Sequence, residues 1–136
     1  MKNLLKFSAV LLMTAFLFTS CSDEVKLAND LEGEWKVTSY KFNGDEAIAF
    51  FTQFDMEYKD YDKGASEGEF TWTTTDAIVG DTEVQTGEYS INEDATKIDM
   101  TLDSTLVSLN IEIEDDVLSL DGTVDGENII IKADKK

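Results

Sequence analysis

Few residues in this chain of 136 can do chemistry. It holds one cysteine, Cys21, no histidine and no proline, and it sets 29 Asp and Glu against 11 cations, every one a lysine. Without imidazole there is no histidine general base, no Ser/His/Asp or Cys/His relay, and no nitrogen ligand for zinc, copper or haem. Without arginine there is no bidentate clamp for phosphate or carboxylate. The formal net charge of −18 repels phosphate backbones, so no nucleic-acid partner is expected. Asp60-Tyr61-Asp62, Asp115-Asp116, Asp121-Gly122 and Asp125-Gly126-Glu127 offer oxygen ligands. None has the spacing of a helix–loop–helix calcium loop, and all read as solvated turns. The chain reads as non-enzymatic, with no catalytic residue, metal or cofactor.

The thiol has a context. Lys2 and Lys6 precede an almost wholly apolar run of twelve residues, Phe7 to Phe18, and Thr19-Ser20 lead to Cys21. Such a run is shorter than the roughly 20 residues that span a bilayer, and it suits the core of a signal peptide over residues 1–20. Phe18-Thr19-Ser20-Cys21 resembles a bacterial lipobox, with Phe18 standing where an aliphatic residue is usual. That resemblance implies that the Cys21 thiol takes a diacylglyceryl group and that the protein reaches its membrane partner through acyl chains. The alternative is an inert, buried cysteine behind an ordinary signal peptide. Cleavage before Cys21 removes two lysines and no acid, leaving 116 residues at a formal charge of −20. Each buried methylene contributes about 0.8 kcal/mol, and one chain holds only marginally, so durable attachment takes several. Residues 21–30 read as the lipidated cysteine and a flexible polar tether. Ser22-Asp23-Glu24 resembles the acidic export tether of Bacteroidota lipoproteins, which implies the outer membrane and its cell-surface face; otherwise it is a plain solvated linker.

Residues 31–136 must form whatever positions a site, and their dominant period is two. Trp35 and Val37 alternate with Glu34, Lys36 and Thr38; Phe54, Met56 and Tyr58 with Asp55 and Glu57; Phe70, Trp72 and Thr74 with Thr71 and Thr73. Gly87, Tyr89 and Ile91 follow, then Ile98, Met100 and Leu102, and Val107 through Ile113. Leu118 with Leu120, and Ile129 with Ile131, bring the candidate strands to eight. Asn43-Gly44, Asn92-Glu93-Asp94, Asp103-Ser104, Asp115-Asp116 and Asp125-Gly126 separate the runs, and such pairs supply the positive φ of tight hairpins. Connections this short exclude parallel crossovers. Gly44–Phe51 has the texture of a short helix. The reading is one all-β domain, an eight-stranded antiparallel up-and-down barrel, with a β-sandwich as the alternative. The missing proline favours closure, since exposed sheet edges often carry it.

Leu31-Glu32-Gly33-Glu34-Trp35-Lys36-Val37 resembles the Gly-x-Trp signature that opens lipocalin-like barrels, and the chain is most similar to small lipocalin-like lipoproteins of Bacteroidota. The resemblance implies that Gly33 turns the chain into the first strand and that Trp35 closes the narrow end. It also implies a cation from the last strand over that tryptophan; with no arginine available, Lys132 is the nearest substitute. In a barrel Phe54, Tyr58, Phe70, Trp72 and Tyr89 line the interior, and Met56 and Met100 add adaptable apolar surface. They are the candidate site for a small apolar or amphipathic ligand. The alternative is plain core packing in an interaction or adhesion protein with a filled interior. Thr71, Thr73, Thr75 and Asp76 read as a solvated outer face.

Overall fold

The structure is a computed structural model that describes residues 22–136; the segment 1–20 expected to be a signal peptide, and Cys21, lie outside the described residues. Strands β1 (Gly33–Phe42), β2 (Asp45–Glu46), β3 (Phe51–Asp62), β4 (Glu67–Asp76) and β5 (Thr82–Ile91) are followed by β6 (Lys97–Leu102), β7 (Thr105–Glu114), β8 (Val117–Val124) and β9 (Glu127–Lys135). Apart from β2, a two-residue hairpin extension of β1, each strand pairs antiparallel with the next, and β9 returns to pair with β1. The eight-stranded up-and-down barrel is therefore closed, and the β1–β9 ladder excludes the sandwich. A closed sheet has no edge to protect, so charged or proline-blunted edges are unnecessary.

The hairpins follow the turn chemistry. Asn43-Gly44, Asp103-Ser104, Asp115-Asp116 and Asp125-Gly126 all have positive φ at both central residues, as type I′ turns require. In β1 the register shifts between Val37 and Ser39. Trp35 and Val37 face inward before this bulge, and Tyr40 faces inward after it, because one extra residue reverses the parity of a strand. Glu46 braces the bulge by accepting from Ser39 Oγ (2.6 Å), Tyr40 N–H (2.9 Å) and Ile48 N–H (3.2 Å). These bonds, the Ser39 one first, hold its carboxyl below the usual range. The segment with helical texture resolves into β2 and a single 3₁₀ turn, Ile48–Phe50.

The tether reading of residues 22–30 is corrected. Asp23–Leu31 form helix α1, with Ser22 Oγ accepting from Val25 N–H (3.3 Å) at its N-cap and Asp23 and Glu24 in its first turn. Ala28 and Leu31 are fully buried and Leu27 packs beside them, so a short apolar stripe lies across one end of the barrel. Glu24 accepts a hydrogen bond from the Tyr61 hydroxyl on β3. Helix α1 thus plugs what we term the floor. Above it Trp35, Tyr58, Phe70, Tyr89, Met56, Met100 and Ile98 are almost completely buried, and the core is concentrated in this half. The opposite end is the mouth.

Candidate ligand-binding cavity

The mouth opens among the β1–β2, β4–β5, β6–β7 and β8–β9 connections and holds a cavity of about 410 Å³. Its aromatic wall is built from three strands. The bulge turns Tyr40 inward against Phe51 and Phe54, with ring centroids 5.9 and 5.7 Å away, and Phe51 and Phe54 lie 5.3 Å apart. Trp72 continues the wall, its ring 6.1 Å from Phe54 at a steep angle. Leu102, Val124, Ile129 and Ile131 supply the aliphatic side. These are the large, stiff apolar groups from which pockets of this size are usually made.

The polar lining has an identifiable origin in β5. Tyr89 and Gly87 point inward near the floor, and strand periodicity carries the inward direction on to Gln85 and Glu83, while Val84 points out. In the upper half of β5 the usual polarity is thus inverted. Gln85 Nε2 donates to Glu83 Oε1 (3.0 Å) and to Asp103 Oδ2 (3.4 Å). Across the mouth, Asp125 and Glu127 also line the cavity, and Asn43 Nδ2 donates to the Glu127 carboxylate. No lysine lines it. Exposed apolar side chains surround the opening: Phe42, Phe50, Val79 and Val84, with Ile78 82% and Leu106 69% exposed. Asp76 shapes this rim by accepting from Val79 N–H (3.0 Å) and Ile78 N–H (2.7 Å), bonds that lower its carboxyl pKa. It is a loop cap rather than part of a featureless solvated face, whereas Thr71, Thr73 and Thr75 remain half-buried on the wall of β4.

Of the seven side chains expected to line a ligand site, only Phe54 and Trp72 reach the cavity. Met56, Tyr58, Phe70, Tyr89 and Met100 form a packed layer beneath it, each at most 1% exposed. The correction has a steric cause: at the end that α1 covers, these large side chains pack against one another in one buried cluster. Trp72 joins the two levels, since its Nε1 donates to the Tyr58 hydroxyl (3.2 Å), which in turn lies 3.8 and 3.9 Å from the sulfurs of Met56 and Met100. Burial raises the Tyr58 pKa well above its ordinary value. Tyr89 stands edge-on to Tyr58 at 5.4 Å, and its hydroxyl is buried with no hydrogen-bond partner among the described residues. Burial, with a smaller contribution from the Glu32 charge, pushes its pKa to about 12.

Gly33 and Trp35 lie at the floor, where β1 leaves α1. Gly33 adopts φ +125°, which side-chain-bearing residues rarely tolerate, as the chain leaves α1 for β1. Trp35 is fully buried, and its Nε1 donates to the Leu31 carbonyl (2.7 Å), tying the ring to the helix. The cation above it is Lys135, 5.2 Å from the ring centroid, and not Lys132. Lys132 lies between inward-facing Ile131 and Ala133 and therefore points out, whereas Lys135 is in register with Trp35. Lys135 Nζ also donates to the Asp30 carbonyl (2.8 Å) near the C-terminus of α1.

No family model matches the chain, and no match to it is found among curated proteins.

Proposed function

We propose that this is a lipid-anchored, lipocalin-like outer-membrane protein without enzymatic activity that holds a small apolar or amphipathic ligand in the mouth of its barrel. The observation that carries the reading is the open cavity of about 410 Å³ walled by Tyr40, Phe51, Phe54 and Trp72 above a fully packed floor. Volumes of roughly 300–1,000 Å³ with few polar groups are typical of small-molecule sites. The filled lower half supports binding near the mouth rather than in a deep cup.

The anchor rests on the lipobox-like Phe18-Thr19-Ser20-Cys21. In this reading Cys21 directly precedes the N-cap of α1, so the floor faces the lipid and the mouth faces away from it. Native mass spectrometry of the purified protein tests the ligand, with co-purifying apolar material expected. Val124→Trp, which fills the cavity, is expected to abolish uptake of a hydrophobic dye without lowering Tm. Dye uptake that is unchanged in that variant counts against the cavity. For the anchor, Cys21→Ser is expected to leave the protein unacylated; acyl chains still present on that variant would overturn it.

A second reading, an accessory interaction protein, draws on the apolar rim of Phe42, Phe50, Ile78, Val79, Val84 and Leu106. If Ile78→Asp together with Val79→Asp releases a co-purifying protein while dye binding is unchanged, that reading is favoured.

A further inference from the structure

Resting on the cavity reading above, we propose that the mouth selects amphiphiles with a cationic head: an apolar tail against Phe54 and Trp72, and an ammonium group held at the rim by Glu83, Asp125 and Glu127. The wall determines that the ligand is apolar, and the charge of the rim determines its sign. Among the described residues, every charged side chain that lines the cavity is a carboxylate, Glu83 from β5 and Asp125 and Glu127 from the β8–β9 hairpin. Two of them are held at the opening by neutral amide donors, Gln85 for Glu83 and Asn43 for Glu127, which fix the carboxylates without neutralising them.

Three classes of ligand can be compared on this geometry. A carboxylate or phosphate head at the rim meets like charge with no counter-charge, in surroundings whose apolar walls strengthen the repulsion. A neutral apolar molecule satisfies the aromatic wall but makes no use of the three carboxylates. An ammonium head pairs with them, and it enters a cavity lined by Tyr40 and Phe51, aromatic rings of the kind that attract cations. The inverted polarity of β5 has a use only in this third case: it carries Glu83 and Gln85 on the inner wall, one strand over from Thr74 and Trp72. A filled core would place apolar side chains there.

The test is isothermal titration calorimetry on the full chain carrying Cys21→Ser, so that no acyl chain competes, with three probes of equal tail length kept below micelle formation. These are decyltrimethylammonium, decanol and decanoate. Decyltrimethylammonium is expected to bind at least about tenfold tighter than decanol, and decanoate to give no measurable binding. The triple variant Glu83→Gln, Asp125→Asn, Glu127→Gln is expected to bring the cation to within about twofold of decanol. Glu93→Gln, Asp94→Asn, Glu114→Gln alters the net charge equally at the floor end and is expected to preserve the preference. If decanol and the cation bind equally, or decanoate binds as well as either, charge selection is overturned and the cavity reading survives. If the floor variant abolishes the preference as fully as the mouth variant, overall charge is responsible and the proposal is overturned. If none of the three probes binds, the cavity reading falls and the proposal falls with it.

Discussion

Tyr58 and Tyr89 are neighbours in one core, yet removing their hydroxyls should move stability in opposite directions. Their rings stand edge to face at 5.4 Å, and Phe at either position keeps that contact. The Tyr89 hydroxyl is buried without a partner among the described residues. A buried polar group left unsatisfied costs about 1–3 kcal/mol, so Tyr89→Phe should stabilise the fold by about that amount. At about 4 °C per kcal/mol for a domain of this size, Tm should rise by about 4–12 °C. The Tyr58 hydroxyl accepts from Trp72 Nε1 at 3.2 Å. Tyr58→Phe orphans that indole N–H, and stability should fall by about 1–2 kcal/mol. Urea denaturation of the two variants beside the parent checks both, provided that the m-values agree so that the midpoints compare like with like. Shifts of the same sign refute the reasoning. In particular, a destabilised Tyr89→Phe means that this hydroxyl finds a hydrogen-bond partner in solution and is not an orphan.

Alkaline pH gives an independent check on the same core. The pKa values of Tyr40, Tyr58, Tyr61 and Tyr89, all four tyrosines of the chain, are raised, in each case chiefly by burial, with the hydrogen bond to Glu24 the next cause at Tyr61. The unfolded chain therefore loses its tyrosine protons first, near pH of about 10, and stability falls as pH rises from there through about 12. Tyrosinate absorbance should rise together with loss of the far-ultraviolet circular dichroism signal; a reversible tyrosinate step near pH of about 10 with the β signal intact would contradict it. Gly87→Ala should cost about 1–3 kcal/mol or more, since its Cβ would lie 2.4 Å from the Thr101 carbonyl oxygen and 2.9 Å from Phe70 Cε1. A near-neutral Tm for that variant is incompatible with the β5–β6 approach described. Lys135→Met should lose about 1 kcal/mol through its contacts with Trp35 and the Asp30 carbonyl, and Lys132→Met should stay within about 0.5 kcal/mol of the parent. Equal losses in the two thermal melts would undo that assignment.

The barrel itself was legible because most strands bury one face, and burial imposes strict alternation on them. The I′ turn pairs completed the topology. Three features escaped for local reasons. In β1 the bulge at Val37/Ser39 reverses parity, so Tyr40 reaches the cavity from a position that simple alternation from Trp35 assigns to solvent. The lower part of β5 reads as a strand from Gly87 to Ile91, but its extension to Thr82 was hidden because Glu83 and Gln85 face in and Val84 faces out. Helix α1 has only Leu27, Ala28 and Leu31 as its apolar stripe, too short a pattern for periodicity to separate from a spacer. That Lys135 rather than Lys132 covers Trp35 depends on the β1–β9 register, which no local pattern encodes.

These misses are not scattered over the molecule. Two of the three lie in the wall of the mouth, and both consist of a broken alternation that brings an unexpected side chain inward. A barrel that needed only stability would keep its alternation to the top and fill the opening with aliphatic residues, as β6 does through Ile98, Met100 and Leu102. Here the stabilising burial is concentrated near the floor, where Trp35, Tyr58, Phe70 and Tyr89 pack above α1. That leaves the upper strands free to carry groups that favour binding over packing. Glu83 and Glu127 on the inner rim add nothing to a core and are braced by amides all the same. Departures from local consistency, paired with supporting hydrogen bonds, are where a fold gives up stability for a site. On that physical ground the mouth, rather than the larger and better-packed aromatic cluster below it, is the part of this barrel built to meet a ligand.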